Sequence, residues 1–429
     1  MKNKLFLSTI LAACVTCVAQ AETLKMTGGS KTVDGDYTVN HLRLESGSGS
    51  KLTVSGKTTI DSNITAGDYY GNVIGRGCSF TSDSVEFNKQ TTYWPKELLI
   101  QGTVTTNSFV VNVPEEYVSE TAPAYIRITS EASLLSLDKN TPGTFKFGEN
   151  TDVNVGDPSL KHNTIIELNT EINGGSLTVN HCATMADVTL NNGTVNVNVD
   201  PKHVPGGSAI EKVESVIIMG DITVNGGTFS LEKGVKITSA SPTSSVTVDG
   251  GTFSLDEAAI GSGITVESGV LNILGECQTG DLILNGGTVY IGESAVTLSA
   301  EGLASVDNVT TVTTGALTLN SGTIYVADNY IIDLGGKDLT LSEKVNIVMS
   351  VDSLDNAEGL TIFEAAGNVE GLDKLSVTLV DETGAKKEMA VSYNNDGSVV
   401  TSTIPEPTTA TLSLLALAAL AARRRRASH

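Results

Sequence analysis

Across residues 172–326, apolar side chains alternate with polar ones on both sides of a short polar break, and the break recurs with nearly the same residues. Four copies are clear: Ile222 to Leu231 (ITVNGGTFSL), Val246 to Leu255 (VTVDGGTFSL), Leu282 to Ile291 (LILNGGTVYI) and Leu317 to Val326 (LTLNSGTIYV). Weaker copies occupy 172–179, 188–197 and 264–273. A period of two, carried mostly by Val, Ile and Thr, is the signature of strands, so each copy predicts a strand, a bend and a strand. The glycine before the Thr/Ser position falls at 175, 193, 227, 251, 269, 287 and 322, with gaps of 18, 34, 24, 18, 18 and 35. A recurring spacing of 18 predicts a repeat architecture, and the two gaps near twice that spacing predict diverged copies hidden inside them.

Asn-Gly between alternating apolar runs also suits hairpins, so an antiparallel meander is the rival arrangement. The parallel arrangement is favoured because the bend returns in the same phase with the same residues. Eighteen residues also divide into three sides of about six, enough for one coil. The expected fold class is therefore all-β, a parallel β-helix solenoid. Val224, Phe229 and Leu231 would face inward, followed by Val248, Phe253, Leu255, Leu284, Val289 and Ile291 in the same columns. Asn225, Asp249, Asn285 and Asn320 would then stack above one another as a turn ladder rather than act as ligands.

Residues 22–68 carry similar strands, at Leu42 to Gly47 and Leu52 to Gly56. Residues 69–160 are expected to be an irregular, aromatic-rich insertion, because 11 of the 20 aromatic residues lie between 69 and 147 and the period is lost there. Such a segment serves either as a cap over the open end of the stack or as a binding face, in which Tyr93 and Trp94 would stack on sugar rings. The repeats proper are assigned to 161–351, and 352–403 reads as an antiparallel C-terminal cap that covers the last open edge.

Composition changes the picture in a few places. The net charge of −22 argues against nucleic acid or an anionic membrane as partner. Of five cysteines, Cys14 and Cys17 sit in an apolar N-terminal stretch, and the spread of Cys78, Cys182 and Cys277 is neither a disulfide framework nor a zinc site. The five histidines include no pair at helical metal-site spacing, and no catalytic constellation stands out; Asp34-Gly35-Asp36 reads as a turn rather than a calcium loop. No cofactor and no metal are expected, and an enzyme is not the preferred class.

The two ends carry targeting chemistry. Lys2 and Lys4 precede an apolar run from Leu5 to Val18, and Ala19-Gln20-Ala21 supplies the small-x-small pattern of a signal-peptidase site, so 1–21 reads as a signal peptide for an export translocon. A lipoprotein route through Cys14 is the competing reading. At the other end, Pro405-Glu406-Pro407 is followed by an apolar run containing Leu412, Leu414, Leu415, Leu417 and Leu420, then by Arg423, Arg424, Arg425 and Arg426. Eleven apolar residues at about 1.5 Å each span roughly 17 Å, a short membrane anchor whose arginines stay on the cytoplasmic side.

This order of Pro-Glu-Pro, apolar helix and arginine cluster over 404–429 resembles the PEP-CTERM sorting signal. The resemblance implies processing by an exosortase-type membrane peptidase and delivery to the cell envelope, the outer surface or the extracellular matrix. The repeats of 172–326 more loosely resemble autotransporter passenger domains. Together these readings lead to an expectation of an exported structural or adhesive protein whose candidate partner is extracellular polysaccharide. The alternative from another class is a β-helical carbohydrate-active enzyme.

Overall fold

In the computed structural model, the described residues are 22–62, 71–89, 98–115, 123–129, 131–156, 163–180, 183–198, 217–292 and 309–403. The protein is all-β with parallel strands in a sheet. The only other regular elements among the described residues are two single 3-10 turns, Leu354–Asn356 and Leu372–Lys374. No helix among the described residues is long and apolar enough to cross a membrane. Residues 1–21 and 404–429 lie outside the described residues.

The strands pair in three long parallel ladders. The first starts where Glu22–Met26 pairs with Tyr37–Leu44 and continues rung by rung, Val153 beside Leu177, Phe229 beside Phe253 and Ile347 beside Val377. The second starts from Ser30–Val33 beside Lys51–Ser62. The third runs from Tyr37 beside Thr58 through Ile172 beside Leu190 to Leu317 beside Leu339. Alternation along each strand fixes the register, since a slip by one residue would turn every apolar side chain outward. Thr228–Leu231 alternates half-buried Thr and Ser with buried Phe229 and Leu231. The inward residues of all three ladders join one hydrophobic cluster that runs from Leu24 to Val399.

Two expectations are corrected by this pairing. Residues 72–155 are no irregular insertion: Asn72–Ile74, Ser79–Lys89, Leu98–Ile100, Ser108–Asn112 and Thr144–Phe147 all pair in parallel within the same ladders. Their phenylalanines fill inward slots, whereas Tyr125 stands at an outward, half-buried position. Phe80, Phe87, Phe109, Phe145 and Phe147 are almost completely buried, and Phe109 meets Phe145 edge to face with ring centres 5.5 Å apart.

The long gaps also hide no extra copies. Val195 pairs directly with Phe229, and Val289 with Ile324, so each gap is one rung whose connection is long. The additional residues fall at 199–216 and 293–308, outside the described residues.

At the C-terminal end the direction reverses. Leu375–Asp381 pairs antiparallel with Lys386–Tyr393, which pairs antiparallel with Val399–Ser402, and that strand returns to Thr361–Glu364.

Candidate functional site

The Asn-Gly-Gly corner is held by side chains that hydrogen-bond from one rung to the next. The Asn191 amide donates to Asn173 at 2.8 Å, and Asn225 donates to Asn191 at 2.8 Å. Further along, Asn285 donates to the Glu267 carboxylate at 2.8 Å and Asn320 donates to Asn285 at 2.7 Å. Asp249 joins differently, because a carboxylate can only accept: it takes the Ser268 hydroxyl at 2.9 Å. Asn225, Asp249, Asn285 and Asn320 are each engaged with a side chain on a neighbouring rung, but only Asn285 and Asn320 bond each other, so they form no single unbroken ladder; no group of three or more potential metal ligands exists among the described residues.

A second column had escaped the sequence reading. Asp36, Asp187, Asp221, Asp281 and Asp338 each accept a backbone N–H from the following rung, those of Lys57, Asp221, Ser245, Ala316 and Asn368, at 2.8 to 3.0 Å. The signal was present as an Asp immediately before an apolar strand, in Gly220-Asp221-Ile222 and Gly280-Asp281-Leu282. Asp36 therefore ties its segment to the next rung.

The outward face of the third ladder changes chemistry along its length. Thr189, Thr223, Thr247 and Thr265 follow one another in register, then Ile283, Thr318 and Thr340. Earlier rungs of the same face are polar and charged instead. Lys57 pairs with Glu86, Asn112 donates to Glu86 at 2.7 Å and to Asn88 at 3.1 Å, and Asn88 donates to Asp61 at 2.9 Å. On the next rung, Lys146 bonds Glu171 at 2.8 Å and Asn173 donates to the same carboxylate at 3.1 Å. The Lys146 hydrogen bond, then that of Asn173, holds the Glu171 carboxyl below the usual range.

A groove of about 610 Å³ opens beside this charged strip. Val110 to Glu115 form one side, Lys146 to Asn150 the other, and Asn173 closes one end. The sequence reading had singled out none of these residues, because they come from three separate strands.

Two other clusters are less suited to chemistry. Asp328 has its carboxyl raised above the usual range, first by burial and then by the neighbouring Asp352, and the pair belongs to no group of three or more potential metal ligands among the described residues. Cys277 is buried, its thiol raised by desolvation, and Cys78 is likewise buried and free. On the outer surface Tyr290 and Tyr325 stack with ring centres 4.9 Å apart and planes 10° apart, so each ring already covers one face of the other.

Several sequence-predicted residues lie outside the described residues: Tyr93 and Trp94, Ala19 and Ala21, Pro405 to Pro407, Leu412 to Leu420 and Arg423 to Arg426. No family model, curated protein or solved structure matches the chain.

Proposed function

We propose that this chain is an exported structural or adhesive protein of the cell surface or extracellular matrix, with a body that winds as a parallel β-helix. The observation that carries this reading is the continuity of the first ladder, in parallel register from Leu24 beside Leu42 to Ile347 beside Val377 over one shared core. At about 4.8 Å per rung, its fifteen strands make a rod roughly 65–70 Å long. A rod of this kind is a passive spacer: each rung contacts only its neighbours, and the side chains at its corners are committed to holding rungs together. The outward Thr row and the interlocked Asn and Asp columns favour a scaffold over a catalyst.

Delivery follows from the ends. Residues 1–21 supply the substrate for an export translocon and signal peptidase, and 404–429, with Pro405-Glu406-Pro407 ahead of an apolar segment and four arginines, supply the substrate for an exosortase-type peptidase. Loss of both segments removes six positive charges and the one negative charge of Glu406 and leaves a body near −27, well solvated and repelled by anionic membrane. The test is the intact mass of the surface-extracted protein in the cell that makes it. Replacing Pro405, Glu406 and Pro407 by alanine should leave export intact and retain the tail; an unchanged mature mass would refute the sorting assignment.

One observation supports a polysaccharide-contacting role within this reading. The network of Lys57, Glu86, Asn112, Asn88 and Asp61 sets charged and amide groups outward on adjacent rungs. Its carboxylates are already engaged, which favours recognition over acid–base catalysis.

A further inference from the structure

We propose that the groove between 110–115 and 146–150 binds a neutral oligosaccharide chain, with the Asn150 side chain presenting its amide to the sugar hydroxyls. This rests on the adhesive reading above and gives it a ligand class.

The groove volume of about 610 Å³ lies within the ~300–1,000 Å³ typical of small-molecule sites. Its lining joins apolar surface from Val110, Val113 and Pro114 to three amides, Asn112, Asn150 and Asn173. Pyranose rings need that combination, since their C–H faces pack on apolar groups while their hydroxyls exchange hydrogen bonds with groups that both donate and accept.

Charge narrows the choice. The one lysine lining the groove among the described residues, Lys146, is held by Glu171 at 2.8 Å, whereas Glu115 and Glu149 add carboxylates to a chain already at −22. An anionic polymer would meet like charge without a free cation among the described lining residues to offset it. A neutral chain meets no such penalty.

Asn150 stands at a turn, and its side-chain amide is the one in the groove that no described group engages. It holds the left-handed conformation at φ 56°, is half-buried, and no group among the described residues hydrogen-bonds its amide. Its neighbours on the next rung are glycines: Gly174 lies against Glu149 and Gly175 against Thr151, so no side chain covers the amide from that side. Asn112 and Asn173, by contrast, have their amide N–H groups turned to Glu86, Asn88 and Glu171, leaving the Asn112 carbonyl oxygen for a ligand hydroxyl.

The experiment is isothermal titration calorimetry on the surface-extracted protein with maltohexaose, mannohexaose and cellohexaose, and with hexagalacturonate as the charged control. At least one neutral hexamer should bind in the micromolar to millimolar range and hexagalacturonate should not. Asn150→Gly removes the amide but keeps a residue suited to positive φ. It should therefore retain or raise the unfolding midpoint and weaken the neutral hexamer about two- to tenfold, the effect of one lost ligand hydrogen bond. Asn112→Ala should weaken it in the same way. The proposal is overturned if none of the three neutral hexamers binds at millimolar concentration, if Asn150→Gly binds as tightly as the unmodified protein, or if hexagalacturonate binds equally well. None of these results would alter the mass of the surface form, so the sorting assignment would stand or fall separately.

Discussion

Replacing Gly269 by alanine tests whether the rungs are stacked backbone on backbone. Gly269 sits at φ 81°, and a Cβ built on it would lie 2.4 Å from the Gly251 carbonyl oxygen and 3.0 Å from two further backbone atoms of Gly250. Those atoms belong to the preceding rung, whose position is fixed by pairing on both sides of the corner, Val248 with Val266 and Phe253 with Leu271. A flexible side chain could swing away; a ladder carbonyl cannot without lengthening the hydrogen bonds that set the rung spacing. Two costs therefore add. Holding alanine in the left-handed region costs about 1–2 kcal/mol, and forcing a methyl group into filled space costs about 1–3 kcal/mol more.

Gly335→Ala separates the two. Gly335 also has a positive φ, 56°, but a Cβ there meets nothing within 4 Å. It should lose only the conformational part, about 1–2 kcal/mol, against roughly 2–5 kcal/mol for Gly269→Ala. Equilibrium urea unfolding followed by circular dichroism measures both. Hydrogen exchange should localise the Gly269→Ala loss to residues 246–291, because neighbouring rungs share the damage in a stack. Equal losses in the two variants, or a Gly269→Ala loss under about 1 kcal/mol, would show that the corner is roomier than its packing implies.

Two further outcomes follow from the core. Phe253, fully buried with its ring centre 5.3 Å from that of Phe229, should cost about 3–5 kcal/mol in urea unfolding when changed to alanine, and a loss near zero would contradict its place in the shared interior. Lys89 is buried at the end of Ser79–Lys89, and burial holds its amine below the ordinary value of 10.5. The unfolded chain therefore keeps a proton that the folded chain releases, so this group makes stability rise with pH from its folded pKa up to about 10.4. Lys89→Met should flatten that rise in unfolding free energy measured across alkaline pH, and identical slopes in the two proteins would refute the assignment.

The sequence was legible where the corner was short. From Ile222 to Val326 the Asn-Gly-Gly break recurs, the flanking strands alternate cleanly, and the expected inward residues Val224, Phe229 and Leu231 are buried. Between residues 72 and 155 the same ladders were hidden for two physical reasons. Phenylalanine takes the inward slots that Val and Leu hold elsewhere, so aromatic content suggested a separate segment. The connections between strands also vary in length there, and period detection measures chain length, whereas pairing ignores whatever lies between two strands. The same blindness turned the long connections after Asn198 and Gly292 into imagined copies. The groove was beyond reach because Asn112, Asn150 and Asn173 share no local pattern, and only the register of successive rungs brings them together.

A parallel stack poses a problem that its sequence must solve, since each added rung presents the same edge as the one before and nothing in the interior pattern says where to stop. The C-terminal end solves it by reversal. Lys386–Tyr393 covers Leu375–Asp381 in the antiparallel sense, so a further copy of the parallel rung no longer finds its matching register, and exposed Lys386, Lys387 and Glu388 place charge on the covering strand. The N-terminal end keeps its direction: Glu22–Met26 and Ser30–Val33 each pair on one side only among the described residues. Charge is the protection available there. Lys25 is tied to Glu45 at 3.3 Å, and the Lys31 amine stands 5.0 Å over the Tyr37 ring, so bringing up a second strand would require desolvating both amines. Addition of a further parallel strand thus lacks a matching register at one end and is opposed at the other by charge.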